Sequence, residues 1–383
     1  MFSTPFTPLK ALDEIRGRAP LLESFSVGTT DSCFPQGAEQ WHWLPSSDPR
    51  TATTAAAPSL KALELRNVPF RYSSPCLSGL VSLKLVSNNL SVQSLPLNHV
   101  MSMLSSNPSL RDLELNVVTM PQVLPLSPLT LEHLETAKLG CHSNQSSLLQ
   151  QLIGCLNLPS LTSLSIDAEA RTETSGMSDT ITALLLRSSV PPLLHFAYRT
   201  AGSSFNASSP SYSTFNQGGN FPLGSLQQMH HLESLSVGSC TMEPLLQALA
   251  STAQEADHGD EETELGGPTF AAPGVTGLGN IWTQLVQQAQ QAGLQLPSTV
   301  IPIPTPPQPA PDEYLCPYLK TLSFKQCMTS HDAVTKLIKL VETRGGLKKL
   351  EFGECGPIGG DVIAWLEERG KEVVYTENAA GSL

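Results

Sequence analysis

Apolar residues recur along the chain on one short template, L-x-x-L-x-L. Leu60, Leu63 and Leu65 fit it, as do Leu80, Leu83 and Leu85, then Leu110, Leu113 and Leu115, and Leu161, Leu164 and Ile166. Leu232/Leu235/Val237, Leu319/Leu322/Phe324 and Leu347/Leu350/Phe352 follow. Leu22/Phe25/Val27, Leu134/Ala137/Leu139 and Leu193/Phe196/Tyr198 are looser copies. The last two anchors of each copy sit two residues apart with a more polar residue between, the period of a strand with one buried face. Between copies the apolar spacing changes to i, i+3, i+4. Segments 97–106, 146–156, 178–189, 242–252, 330–344 and 360–370 read as helices on that basis. Ser178 and Ser330 stand where N-caps are expected, and Gly345 and Gly370 stand just past the C-ends. "KEVVYTE", Lys371 to Glu377, reads as a last short strand.

The middle anchors of the ten copies fall at 25, 63, 83, 113, 137, 164, 196, 235, 322 and 350, at intervals of 38, 20, 30, 24, 27, 32, 39, 87 and 28. Most of these lie at or just above the roughly 20–29 residues of a leucine-rich repeat. "LVSLKLVSNNL", Leu80 to Leu90, is the clearest copy, matching L-x-x-L-x-L-x-x-N-x-L throughout. The expected fold class is therefore α/β: a solenoid of about ten leucine-rich repeats with one continuous core. Strands stack about 4.8 Å apart while helices need about 10 Å, so the solenoid is expected to curve. A parallel sheet then lines the concave face and helices cover the convex one. Asn88, Cys240, Cys327 and Cys355 occupy one equivalent position, three residues past the last anchor. There a side chain turned inward packs and satisfies turn backbone, and the three thiols read as packing groups rather than metal or redox groups.

Two stretches break the period. Ser204 to Asn220, "SFNASSPSYSTFNQGGN", reads as a surface loop within 201–221. Residues 251–313 read as an acidic, Gly/Pro-rich, mostly disordered insertion with a short helix near 280–292, carried by Ile281, Trp282, Leu285, Val286 and Ala289. Its proline run, "PSTVIPIPTPPQPAPD", reads as a linker. The chain thus divides into repeats over 1–250, the insertion, further repeats with a cap over 314–376, and a tail at 377–383.

Composition narrows the function. The net charge is −12 and only 15% of residues are charged. Six of the negatives, Glu255, Asp257, Asp260, Glu261, Glu262 and Glu264, have no Lys or Arg among them. Nucleic acid and anionic membranes both require clustered cations, so neither is an expected partner. No basic and then apolar leader opens the chain, and no apolar run is long enough to span a bilayer, so a cytoplasmic or nuclear setting is expected. Eight cysteines in 383 residues fit a reducing compartment better than a disulfide framework. No Walker A, H-E-x-x-H or G-x-S-x-G motif is present, so the chain reads as a non-enzymatic protein with no cofactor or metal. His230, His231 and Glu233 lack metal-site spacing and read as structural. The functional surface is then the sheet face turned away from the core. Its candidate partner-binding residues, between and just after the anchors, are Glu64, Arg66, Lys84, Glu114, Lys138, Asp167, Arg199, Lys325 and Glu351. Both signs alternate along it, which suits a protein ligand of mixed charge.

"PSLKALELRNVPF", "SGLVSLKLVSNNL", "NPSLRDLELNV" and "PSLTSLSIDA" resemble the leucine-rich half of fungal F-box proteins, of ribonuclease-inhibitor-like type. The resemblance is strongest at "CPYLKTLSFKQCMTSHDAVTKLIKLVETR" and "LKKLEFGECGPIGGDVIAWLEERG". It implies the substrate receptor of a Skp1–cullin–F-box ubiquitin ligase, in which the repeats hold a target and an F-box docks the Skp1 adaptor. Here Met1 leads almost directly into "LKALDEIRGRAPLLESFSV", with no Leu-Pro-x-Glu-like F-box opening. The expectation is that F-box sequence is missing upstream, or that the protein binds partners without one. Met1 to Ile15 makes a poor cap, so the isolated chain is expected to be only marginally soluble. The alternative is a stand-alone regulator that binds an enzyme or small GTPase directly, for which Arg66 and Arg199 are the exposed arginine candidates.

Overall fold

The computed structural model describes residues 19–28, 57, 59–68, 78–86, 95–117, 119–120, 127–141, 147–169, 174–201, 221–251, 315–327, 329–355 and 358–376. The surface loop, Asn88 and Leu90, the insertion beyond Ser251 with its acidic and proline runs, and the N-terminal cap lie outside the described residues.

Every one of the ten template copies supplies a strand, and the strands join into one sheet. They are β1 (Ser24–Gly28), β2 (Ala62–Arg66), β3 (Ser82–Val86), β4 (Asp112–Val117), β5 (Thr136–Cys141), β6 (Ser163–Glu169), β7 (His195–Ala201), β8 (Ser234–Gly238), β9 (Thr321–Lys325) and β10 (Lys349–Gly353). The predicted terminal strand follows as β11 (Glu372–Thr376). All eleven are parallel and each pairs with its neighbours in the chain, an order that needs a crossover between every pair. The crossovers carry helices α1 (Leu97–Ser105), α2 (Ser147–Cys155), α3 (Thr174–Arg187), α4 (Glu243–Ala250), α5 (His331–Thr343) and α6 (Gly360–Glu368), with a 3-10 helix at Leu223–Gln228. Two further parallel pairs, Leu95–Pro96 with Thr119–Met120 and Leu129–Thr130 with Leu156–Asn157, were not foreseen from the apolar pattern.

The register explains why the template repeats. Second-position residues align strand to strand as Phe25, Leu63, Leu83, Leu113, Ala137, Leu164, Phe196, Leu235, Leu322, Leu350 and Val373. Fourth-position residues align in the same way, from Val27 through Leu65 and Ile166 to Phe324, Phe352 and Tyr375. Both columns point into one core, together with the first anchors and with helix residues such as Val100, Ile153, Leu184, Leu246 and Leu337. The helices close that core, α2 against α3, α3 against the 3-10 helix, and α4 against α5. Each inward leucine therefore finds its partners in adjacent strands and in the helices, and the array has no separate cores to bury.

Polar clips tie the ends of the helices to their neighbours. The Asn107 side chain accepts from the Leu80 N–H and donates to the Met103 carbonyl, both at 2.7 Å. Ser188 accepts from the Leu158 N–H at 2.8 Å, while Arg187 donates to the carbonyls of Ile153 and Leu156. Arg344, buried, donates to the carbonyls of Leu249, Cys316 and Leu315. These groups answer the carbonyls that a helix end and a turn leave without partners.

Three of the four expected helix boundaries hold as drawn. Ser330 is the N-cap of α5, its hydroxyl accepting from the Ala333 N–H at 3.0 Å. Gly370 closes α6 at φ +71°, with Gly370 and Lys371 donating to the carbonyls of Glu367 and Leu366, a Schellman arrangement. Ser178 is not a cap, because α3 starts four residues earlier, at Thr174. Gly345 stands just past the C-cap Arg344 of α5, as expected, without taking a left-handed φ. Among the described residues, no helix is long and apolar enough to cross a membrane.

Candidate functional site on the exposed sheet face

Odd positions of each strand point away from the core and form three columns on the opposite face. The third-position column reads Ser26, Glu64, Lys84, Glu114, Lys138, Ser165, Ala197, Ser236, Ser323, Glu351 and Val374. The fifth-position column runs Gly28, Arg66, Val86, Asn116, Gly140, Asp167, Arg199, Gly238, Lys325, Gly353 and Thr376. All nine residues expected on this face lie in these two columns. They do not form one site.

Over β2 to β5 the charges serve one another. Arg66 donates to Glu64 on its own strand and reaches Glu114 at 3.4 Å two strands away. Lys138 donates to the other oxygen of Glu114 at 2.9 Å. Glu114 is thereby covered and only 9% exposed, although its backbone faces outward. Lys84 pairs with Asp112 at 3.7 Å, and the Ser82 hydroxyl donates to the same carboxylate. The hydrogen bond from Arg66 holds the Glu64 carboxyl below its ordinary value, and the same bond raises the guanidinium. At the far end Lys349 bridges Glu351 and Glu372, at 3.0 and 3.3 Å, and draws the Glu351 carboxyl down. The alternation of sign visible in the sequence is thus a cross-strand pairing within the chain.

Over β6 to β10 the outward side chains become small, and the face sinks into a depression of about 430 Å³. Ser165, Ala197 and Ser236 form its floor, and Asp167, Arg199 and Lys325 stand in it. Gln326 and Glu354 line it as well, and neither was singled out in the sequence. The one signal that could have found the depression is the small serine or alanine at the third position, in "SLSID", "FAYR" and "SLSVG".

Backbone geometry fixes the rim. Ser239, Gln326 and Glu354 follow β8, β9 and β10 in the left-handed region, at φ 53°, 55° and 53°, and Asn67 does so after β2 at 55°. A non-glycine residue there is strained. Each still donates its N–H to the next strand, Ser239 to Lys325 and Gln326 to Gly353 at 2.8 Å, so the sheet ladder holds the turn in place. The turn sets the following residue inward, which places Cys240 and Cys327 in the core and Cys355 half-buried at its edge. Their thiols point at carbonyls, Cys240 at Gly238 and Cys327 at Val237 and Lys325. Burial pushes Cys240 up to about 11, while the hydrogen bond shared by Cys327 and Cys355 pushes Cys327 up and Cys355 down to about 7. Left-handed Gln326 turns its amide outward, accepting from Arg199 at 3.3 Å and donating to Glu354 at 2.7 Å.

His231 stacks on Tyr318 with ring centres 6.4 Å apart, and Glu233 accepts from Lys320 at 2.6 Å, so both have structural partners. Among the described residues, no group of three His, Cys, Asp or Glu side chains is placed to hold a metal ion. No protein-family model matches the chain, and no curated protein sequence matches it.

Proposed function

We propose that the chain is a leucine-rich-repeat solenoid of about ten repeats that works as a non-enzymatic protein-binding scaffold, the target-recognition part of an F-box-type ubiquitin ligase receptor. One observation carries the binding half. A parallel sheet in strict chain order has the described helices and the inward columns sharing the core on one side, and among the described residues no helix lies on the other. Such a face keeps most of its outward side chains out of the core, and it is broad enough to seat a protein surface. In this reading the face is the concave one, and the depression at β6 to β10 is its centre. The ligase half rests on the resemblance of the repeats to those of F-box proteins.

The test is affinity purification of the protein, tagged at its C-terminus and expressed from its own locus, with mass spectrometry of what accompanies it. Skp1 and a cullin in stoichiometric company, together with further proteins lost on Ser236→Trp, are the expected result. Company that includes neither adaptor nor cullin removes the ligase role and leaves a stand-alone binding protein.

A further inference from the structure

On the exposed face, Arg66, Lys84, Lys138 and Lys349 each hold a carboxylate of this chain. Arg199 and Lys325 do not: among the described residues, neither makes an ion pair. Arg199 meets only the neutral amide of Gln326, and Lys325 acts on Glu351 only through its field. Both line the same depression, two strands apart in one column.

Their posture is set by the glycine that follows each on the next strand. A Cβ at Gly238 would meet the Arg199 Cγ at 2.9 Å, so the arginine stem lies flat across β8 and carries its guanidinium to Gln326, just past β9. The Lys325 stem lies over Gly353 in the same way, with its Cγ 3.6 Å from the place of a Cβ. The two cationic side chains therefore start about 10 Å apart by strand spacing and both lean across the next strand within the depression. Asp167 and Glu354 border them, and that mixed rim repels a uniform polyanion.

We infer that the depression receives an extended acidic segment of the protein partner, with one carboxylate on Arg199 and a second on Lys325. This rests on the reading of the exposed face as the binding surface. Arg199 suits a bidentate carboxylate contact, and the lysine head offers a point charge. Two acidic side chains two residues apart share one face of an extended strand and sit about 7 Å apart, and the long flexible stems of Arg199 and Lys325 cover the difference from the strand spacing. The overall charge of −12 does not oppose this at contact range, because fields beyond about 8 Å are screened at physiological salt.

The experiment is an unbiased selection of a random peptide library displayed on phage against the full chain. The expected result is a set of peptides with acidic residues at two fixed positions. Arg199→Ala and Lys325→Ala each weaken a selected peptide about tenfold, the worth of one hydrogen-bonded charge, and Arg66→Ala leaves it unchanged. The double variant Arg199→Glu/Lys325→Glu turns the selection toward Lys and Arg. Both side chains are exposed, and unchanged thermal melts verify that the variants fold. Peptides blocked by Ser236→Trp that carry no acidic bias and tolerate both alanine variants overturn the carboxylate assignment and leave the face reading standing. Selections that return only peptides indifferent to Ser236→Trp, or none at all, overturn both.

Discussion

Strands β2 to β5 and strands β6 to β10 present the same inward columns to the core and opposite surfaces to solvent. In the first group leucine lies inside and Glu64, Arg66, Lys84, Glu114 and Lys138 lie outside, tied to one another or to Asp112. In the second the inside is still Leu, Ile, Val and aromatic, but the outside is Ser165, Ala197 and Ser236 around Arg199 and Lys325, which make no ion pair among the described residues. The inward columns decide the fold, and a sheet is indifferent to which outward residues it carries. What a face offers a partner is set by the charge left over after its own pairs are made, and charge density alone does not report that.

The comparison breaks first in the core if it is wrong. Leu113→Ala on β4 and Leu235→Ala on β8 each remove a fully buried side chain from the same column, at 0% exposure. Each is expected to cost about 4 kcal/mol in urea unfolding. A large difference between the two would mean that the halves do not share one kind of core. Next in size is Arg344→Ala, which strands the carbonyls of Leu249, Cys316 and Leu315. A loss of about 3 kcal/mol is expected from the same measurement.

Smaller effects separate the outward faces. Glu114→Gln weakens the contacts to Arg66 and Lys138, and is expected to lower stability by about 1 kcal/mol, a difference that shrinks at high salt. Lys325→Gln, with no ion pair among the described residues to lose, is expected to leave the melting temperature unchanged. The smallest effect is in acid. Glu64 is held below the ordinary glutamate value of 4.5, so the folded chain binds fewer protons than the unfolded one in that range. Its contribution is present above pH 4.5 and is lost as pH falls through the lowered value. Glu64→Gln should therefore flatten the acid limb of a urea-midpoint profile, and an unchanged limb would show that the Arg66 pair adds nothing to stability.

The strands were legible because each buries the same two positions, and a leucine period survives irregular loops between copies. Helix starts were less so. Apolar spacing in α3 begins at Met177, and the polar turn from Thr174 that precedes it carries no such signal. The outward direction of Glu114 was legible and its burial was not, since the cations that cover it come from residues 48 and 24 positions away. Pairing across parallel strands depends on register, and register is a property of the whole sheet. The depression was hidden for a related reason. Serine and alanine at an outward position say nothing alone, and only their alignment on three adjacent strands makes a hollow beside Arg199 and Lys325.

The central claim is that a partner binds on the exposed sheet face at β6 to β10. A photo-crosslinking amino acid placed at Ser236, in the floor of the depression, and separately at Thr335, exposed on α5, tests it in living cells. The account predicts that a discrete partner band forms from position 236 and disappears on adding Arg199→Glu/Lys325→Glu, with none from position 335. A partner captured from position 335 and not from 236 would place binding on the helices and contradict it.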